Sequence, residues 1–153
     1  VLRTLVSFLR DRLLERLLTG SPLFAELSPP DARALASEFI FLELDAGATP
    51  VKQGERSPGM FFLMSGVAEA VRDGQRLAEL RAGDVFGERS LLLHTPASAD
   101  VRATKRSWAL LLPRDRFQEI MLGYPQVLAY VSELSESRVA AREPASERRI
   151  QLS

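Results

Sequence analysis

Leu2, Leu5, Val6, Leu9, Leu13 and Leu17 recur at three- and four-residue spacing, which places them on one face of a helix. Leu14 and Leu18 widen the stripe, and Gly20, Ser21 and Pro22 end it. Packing on its own domain is expected of such a helix in preference to a dimerisation or interdomain role. A second helix starts at Ser28, where a hydroxyl cap is followed by Pro29, Pro30 and the acid Asp31. Proline suits the first helical position because its missing N–H has no intrahelical partner there. Ala32, Leu35, Ala36 and Phe39 form the core-facing side of this helix.

From about Phe39 the period changes to two. Short runs of β-branched, aromatic or alternating residues predict strands over 40–44, 49–52, 60–64, 67–71, 76–80, 99–103 and 108–112. Turn chemistry separates them: Asp45-Ala46-Gly47, the glycine-bounded segment 54–59, Ser65-Gly66, Asp73-Gly74 and Ala82-Gly83-Asp84. Crossover helices between these strands are missing, so a doubly wound parallel sheet is disfavoured and a rolled antiparallel sheet is expected. One interruption stands out. The segment 83–96 leaves room for a short helix after Gly87, whose first amide N–H groups suit a phosphate or carboxylate. After the last strand, Pro113 opens a helix carrying Phe117, Ile120 and Met121, which Gly123 ends. Pro125 opens another, with Val127, Leu128, Val131, Leu134 and Arg138 as an amphipathic stripe.

Composition narrows the function classes. The 153 residues are 46% hydrophobic and 26% charged, enough apolar content for one packed domain and too much for a disordered chain. Twenty basic residues balance twenty acidic ones, so no overall field favours nucleic acid or an anionic membrane, and any anion site must be local. The absence of cysteine removes disulfides, thiolate metal sites and a thiol nucleophile, and agrees with a cytoplasmic setting. No apolar run reaches membrane-spanning length, and Arg3, Arg10, Asp11 and Arg12 break any signal-peptide core. Val1 in place of methionine points to a piece of a longer polypeptide.

Several strings resemble the cyclic-nucleotide-binding domain family. Residues 23–28 are similar to its opening helix junction, 51–55 to its first hairpin, and 60–70 to its central strand, turn and following strand. Gly83-Asp84-Val85-Phe86-Gly87-Glu88 resembles the opening of its phosphate-binding cassette, and the likeness runs from Leu23 to Tyr124. The resemblance implies a mainly β fold with flanking helices. An antiparallel β-roll or jelly roll would contain a short phosphate-binding-cassette helix, with helices at the N- and C-terminal ends. The chain then divides into an N-terminal amphipathic helix over 1–20, the nucleotide-binding-like domain over 21–143, and a polar, flexible tail over 144–153.

The resemblance also implies a site of Phe86, Gly87, Glu88, Arg89, Ser90, Ala97, Ser98 and Ala99. Glu88 matches the glutamate that accepts the ribose 2′-hydroxyl, Gly87 the glycine that lets backbone and ligand approach, and Ser90 and Leu91 the small and apolar cassette positions. The family's phosphate-binding arginine falls at Ala97, while Ser98 and Ala99 match the small residues after it. Losing that guanidinium removes about 1.5–3 kcal/mol, or roughly one to two orders of magnitude in affinity. Arg89, Arg102 and Lys105 are the nearby cations, Arg89 being read first as a solvated charge beside Glu88 or Asp84. Val71, Leu80, Val85 and Phe86 are candidates for a purine pocket, with core packing as the default for each.

The expected function is a non-enzymatic regulatory module with no cofactor, whose ligand is cAMP, cGMP or a similar anionic small molecule. The alternative is a degenerate member that binds no nucleotide and serves as an interaction or dimerisation scaffold. Its terminal helices are the surfaces for a protein partner or second copy. Nucleic acid is not expected to bind this chain, because the run to Ser153 is too short for a helix-turn-helix after the last helix. No membrane is expected, because the net charge is zero and no apolar run is long enough to span one. His94, the single histidine, has Ser90, Ser98, Asp84 and Asp100 nearby but no nucleophile elbow, so capping or exposure is expected over catalysis. Nothing has metal-ligand spacing. Glu43 and Asp45 are expected to face water, and Trp108 to anchor the core or a sheet edge.

Overall fold

A computed structural model describes residues 2–142. The chain runs through α1 (Leu2–Gly20), α2 (Pro22–Ala25) and α3 (Pro29–Ser37) into β1 (Ile40–Leu44), β2 (Gly59–Ser65), β3 (Val67–Arg72), β4 (Gln75–Arg81) and β5 (Val85–Phe86). Then come α4 (Glu88–Leu93), β6 (Asp100–Ala103), β7 (Ser107–Pro113), α5 (Arg114–Gly123) and α6 (Pro125–Arg142). The expected tail over 144–153 lies outside the described residues.

The helix starts follow their capping residues. Ser28 Oγ accepts the Asp31 N–H at 3.3 Å, with Pro29 at the first helical position, and Ser21 Oγ caps α2 through the Leu23 N–H at 3.2 Å. Each bond satisfies an amide that the helix itself leaves unpaired. Arg116 of α5 reaches back to Glu38 at 3.0 Å and also pairs with Glu119; the hydrogen bond to Glu38, then the charge of Glu119, raise its pKa.

In α1 the periodicity is helical but the burial is not uniform. Leu13 and Leu17 are buried and Leu9, Leu14 and Leu18 partly so, whereas Leu5 is 60% exposed and Val6 38%. The expectation that the whole stripe packs on its own domain therefore holds only for the later turns. The apolar stripe continues, but the body beneath it ends. The side chains of Leu2 and Arg138 lie outside the described residues.

All strand pairs are antiparallel and form two sheets, one ordered β1-β7-β2-β5 and the other β4-β3-β6. The expected strand at 49–52 is reduced to one bridge, Val51 to Val101. Around it the chain lies beside β6 and the segment before it, the Gly47 N–H donating to Ala103 O at 2.7 Å and the Gly54 N–H to Ala97 O at 2.9 Å. Pro50 has no N–H to give a continuous ladder. The two-residue β5 was not expected, since two residues carry no period.

β2 is the wall between two cores. Met60, Phe62 and Met64 join Leu17, Leu35, Phe117, Ile120 and Val131 in a cluster under the helices. Phe61 and Leu63 point the other way, into the roll with Val51, Leu80, Phe86 and Val101. β7 divides similarly, with Leu110 and Leu112 on the helix side and Ala109 inside the roll.

Candidate functional site

The site grows from the junction of β5 and α4. Phe86 lies opposite Phe61 in the β2–β5 pairing and stacks on it, ring centroids 4.8 Å apart and planes 6° from parallel. That stack anchors the chain on the roll side just before it turns. Gly87 makes the turn with φ of 82°, in the left-handed region that disfavours side chains. A Cβ there would stand 2.6 Å from Gly59 O and 2.7 Å from Ser57 Oγ. The glycine is thus required by the protein's own backbone approach, a reason the resemblance had assigned to ligand.

Glu88 is the first residue of α4 and only 3% exposed, an acid in the first turn where the free amides favour negative charge. Arg89 is half-buried. The carboxylate of Asp84, one suggested partner for it, accepts the Arg81 N–H at 2.8 Å. Ser90 is buried and its hydroxyl is committed within the fold: it accepts the Ser57 N–H at 3.2 Å and donates to Thr95 O at 2.5 Å. Ser90 thereby clamps the 54–59 loop to the end of α4. His94 closes the helix in the left-handed conformation, exposed, its N–H donating to Ser90 O. Since Ser90 donates to Thr95, its hydroxyl is not the one that would pair with His94.

Beyond the turn, Ala97 packs partly buried against the roll cluster of Phe61, Phe86, Val51 and Val101. Its amide donates to Glu55 O at 2.8 Å and its carbonyl accepts from Gly54. Position 97 therefore addresses the roll interior with a methyl group. Ser98 is exposed and Ala99 buried. Asp100 Oδ1 accepts the Gln53 N–H at 2.7 Å, while the Gln53 side chain exchanges two hydrogen bonds with Asp73 in the β3–β4 turn. Ser57, Gln53 and Asp73 thus position the cassette, a role that sequence reading does not give them, Asp73 being expected only as a turn residue. Their partners lie 33, 47 and 20 residues away, and no local signal reports such pairs.

Other candidates separate. Leu80 and Phe86 share the roll interior, but Val85 faces the helix-side cluster with Phe62 and Leu91, so it cannot line a purine pocket in the roll. Arg102 is paired with Glu69 at 2.6 Å and Lys105 is exposed, which removes Arg102 as a ready substitute for the missing arginine. Glu43 is exposed and paired with Arg106, Asp45 is exposed, and Trp108 is half-buried and stacked on Phe41 at 5.1 Å. Among the described residues no helix is long and apolar enough to cross a membrane.

Comparison with known proteins places this geometry. The chain is 32% identical over 117 residues to the cAMP-dependent protein kinase regulatory subunit of Emericella nidulans, covering 75% of this chain and 28% of that protein. It therefore spans less than a third of that relative. The Thermus thermophilus catabolite activator protein is similar in structure, with a TM-score of 0.72 and 28% identity over 86% of this chain and 62% of that one. The regulatory subunit of a cAMP-independent protein kinase A from Trypanosoma brucei shares the fold at a TM-score of 0.71 and 22% identity, covering 82% of this chain and 47% of that one. The family described as cyclic nucleotide-binding domain matches residues 41–124, and with its roll, cassette helix and flanking helices the chain belongs to that family.

Proposed function

We propose that this domain is a non-enzymatic regulatory module that binds a cyclic nucleotide, cAMP or cGMP, at the start of α4. Glu88 would accept the ribose hydroxyl in a charge-assisted hydrogen bond, and the first amides of α4 would receive the cyclic phosphate. The roll side of Phe86 and Leu80 would carry the base. The observation that carries this reading is the placement of a buried Glu88 directly after the left-handed Gly87, in a chain of this family. No resident cofactor is invoked. Signalling would follow from a ligand that contacts the cassette better in one arrangement of α5 and α6 than in another. A protein partner or second copy would meet the exposed Leu5, Val6 and Phe8 of α1.

The second reading, an interaction scaffold without nucleotide, is favoured by Ala97 alone. Calorimetric titration with cAMP and cGMP at physiological salt tests both. Saturable micromolar binding that Glu88→Ala removes supports the sensor. Since position 97 addresses the roll, Ala97→Arg is expected to strengthen binding about 10- to 100-fold. No binding to the parent chain and no gain in Ala97→Arg, with both folded, would establish the scaffold.

A further inference from the structure

On the side of α4 turned away from the roll, α4, α5, the start of α6 and the loop before β2 line a half-open cavity of about 220 Å³. Its walls include Leu91, Phe117 and Met121, all buried members of the helix-side core, and the half-buried Leu128. Three exposed cationic or protonatable side chains also line it: Arg56 from the loop before β2, Arg114 at the start of α5, and His94 at the end of α4. No aspartate or glutamate lines it. Among the described residues neither Arg56 nor Arg114 is held in an ion pair. None of the lining side chains belongs to the roll cluster; the cavity shares Ser90 of α4 with the proposed nucleotide site and otherwise opens on the opposite, helix-side face.

Apolar walls with uncompensated positive charge select a particular kind of molecule. A free inorganic anion would find the charges but leave the apolar surface wet, and a neutral hydrocarbon would leave the guanidinium groups unused. An apolar cavity of roughly 150 Å³ suffices for benzene, so this one accepts a somewhat larger body. We infer that the cavity is a second ligand site for a small amphipathic monocarboxylate, its carboxylate on Arg56 and Arg114 and its apolar body against Leu91, Phe117 and Met121. Arg suits this task because its planar fork matches a carboxylate with two hydrogen bonds. The inference does not depend on whether a nucleotide binds the roll.

The test is titration of the full chain with octanoate, followed by calorimetry and by amide chemical shifts, with octan-1-ol as the uncharged control. The expected result is saturable binding tighter than about 1 mM, with shifts at Arg56, Leu91–His94, Arg114–Leu122 and Leu128. Octan-1-ol is expected to bind about tenfold or more weakly, and Arg56→Ala/Arg114→Ala to lose a similar or larger factor. Both arginines are exposed, so this variant keeps its fold, which its circular dichroism checks. Four results would each overturn the inference: no saturation; equal affinity for octanoate and octan-1-ol; undiminished binding by the double variant; or shifts centred on Glu88 and Ala97–Ala99. Shifts of the same amides with protein concentration alone would assign the cavity to a second copy of the chain, and would overturn it as well.

Discussion

At the scale of single residues, the cassette is held by groups whose hydrogen-bonding capacity is spent inside the protein. Gly87 combines a positive φ with a close approach to Gly59 O, so Gly87→Ala meets both backbone strain and a clash. It is expected to lower unfolding stability by about 2 kcal/mol or more, read as a reduced urea midpoint. Ser90→Ala is expected to cost about 1–3 kcal/mol, because it leaves the Ser57 N–H without its acceptor in a buried setting. Its effect on nucleotide affinity should track that loss of stability, and an affinity loss with stability unchanged would return Ser90 to the ligand. Glu88 and Ala97 differ in kind: both belong to the ligand chemistry we propose, and their variants are read by titration.

Elements differ in how far their apolar patterns are used. In α1 the same stripe is buried at Leu13 and Leu17 and exposed at Leu5 and Phe8. Leu17→Ala is accordingly expected to destabilise by about 2–5 kcal/mol, whereas Leu5→Ala and Phe8→Ala should stay within about 0.5 kcal/mol in the monomer. Thermal or urea unfolding at low concentration separates these outcomes, and a cost at Leu5 that grows with protein concentration would reveal a contact made by self-association. The bridge of Val51 to Val101 shows the opposite case, a segment with strand composition that Pro50 keeps from forming a ladder.

For the whole molecule, β2 and β7 each contribute side chains to both cores and are expected to couple them on unfolding. Because alternate residues of β2 feed the helix-side cluster and the roll, neither core can lose that strand without opening the other. Urea transitions followed by Trp108 fluorescence and by far-ultraviolet circular dichroism are expected to coincide, and separated transitions would show that the two cores melt independently. Ligand binding acts at the same scale. If cAMP occupies the roll, a concentration one hundred times its Kd is expected to add about 2.7 kcal/mol of stability, and a scaffold would show no such increment.

The sequence by itself determined the local decisions: where α3 begins at Ser28 and Pro29, where the β3–β4 hairpin turns at Asp73 and Gly74, that a short helix follows Gly87, and that the strands connect as antiparallel neighbours. These depend on capping, on φ preference and on period, which a few adjacent residues suffice to express. Only the tertiary structure decided which side each apolar residue serves. An uninterrupted run such as Met60-Phe61-Phe62-Leu63-Met64 declares a buried strand without declaring two cores. The same holds for Val85 turning away from the roll, for Ser90 becoming a clamp on Ser57, and for the cavity where α4 meets α5 and α6. Each depends on partners far along the chain, and their proximity is created by packing.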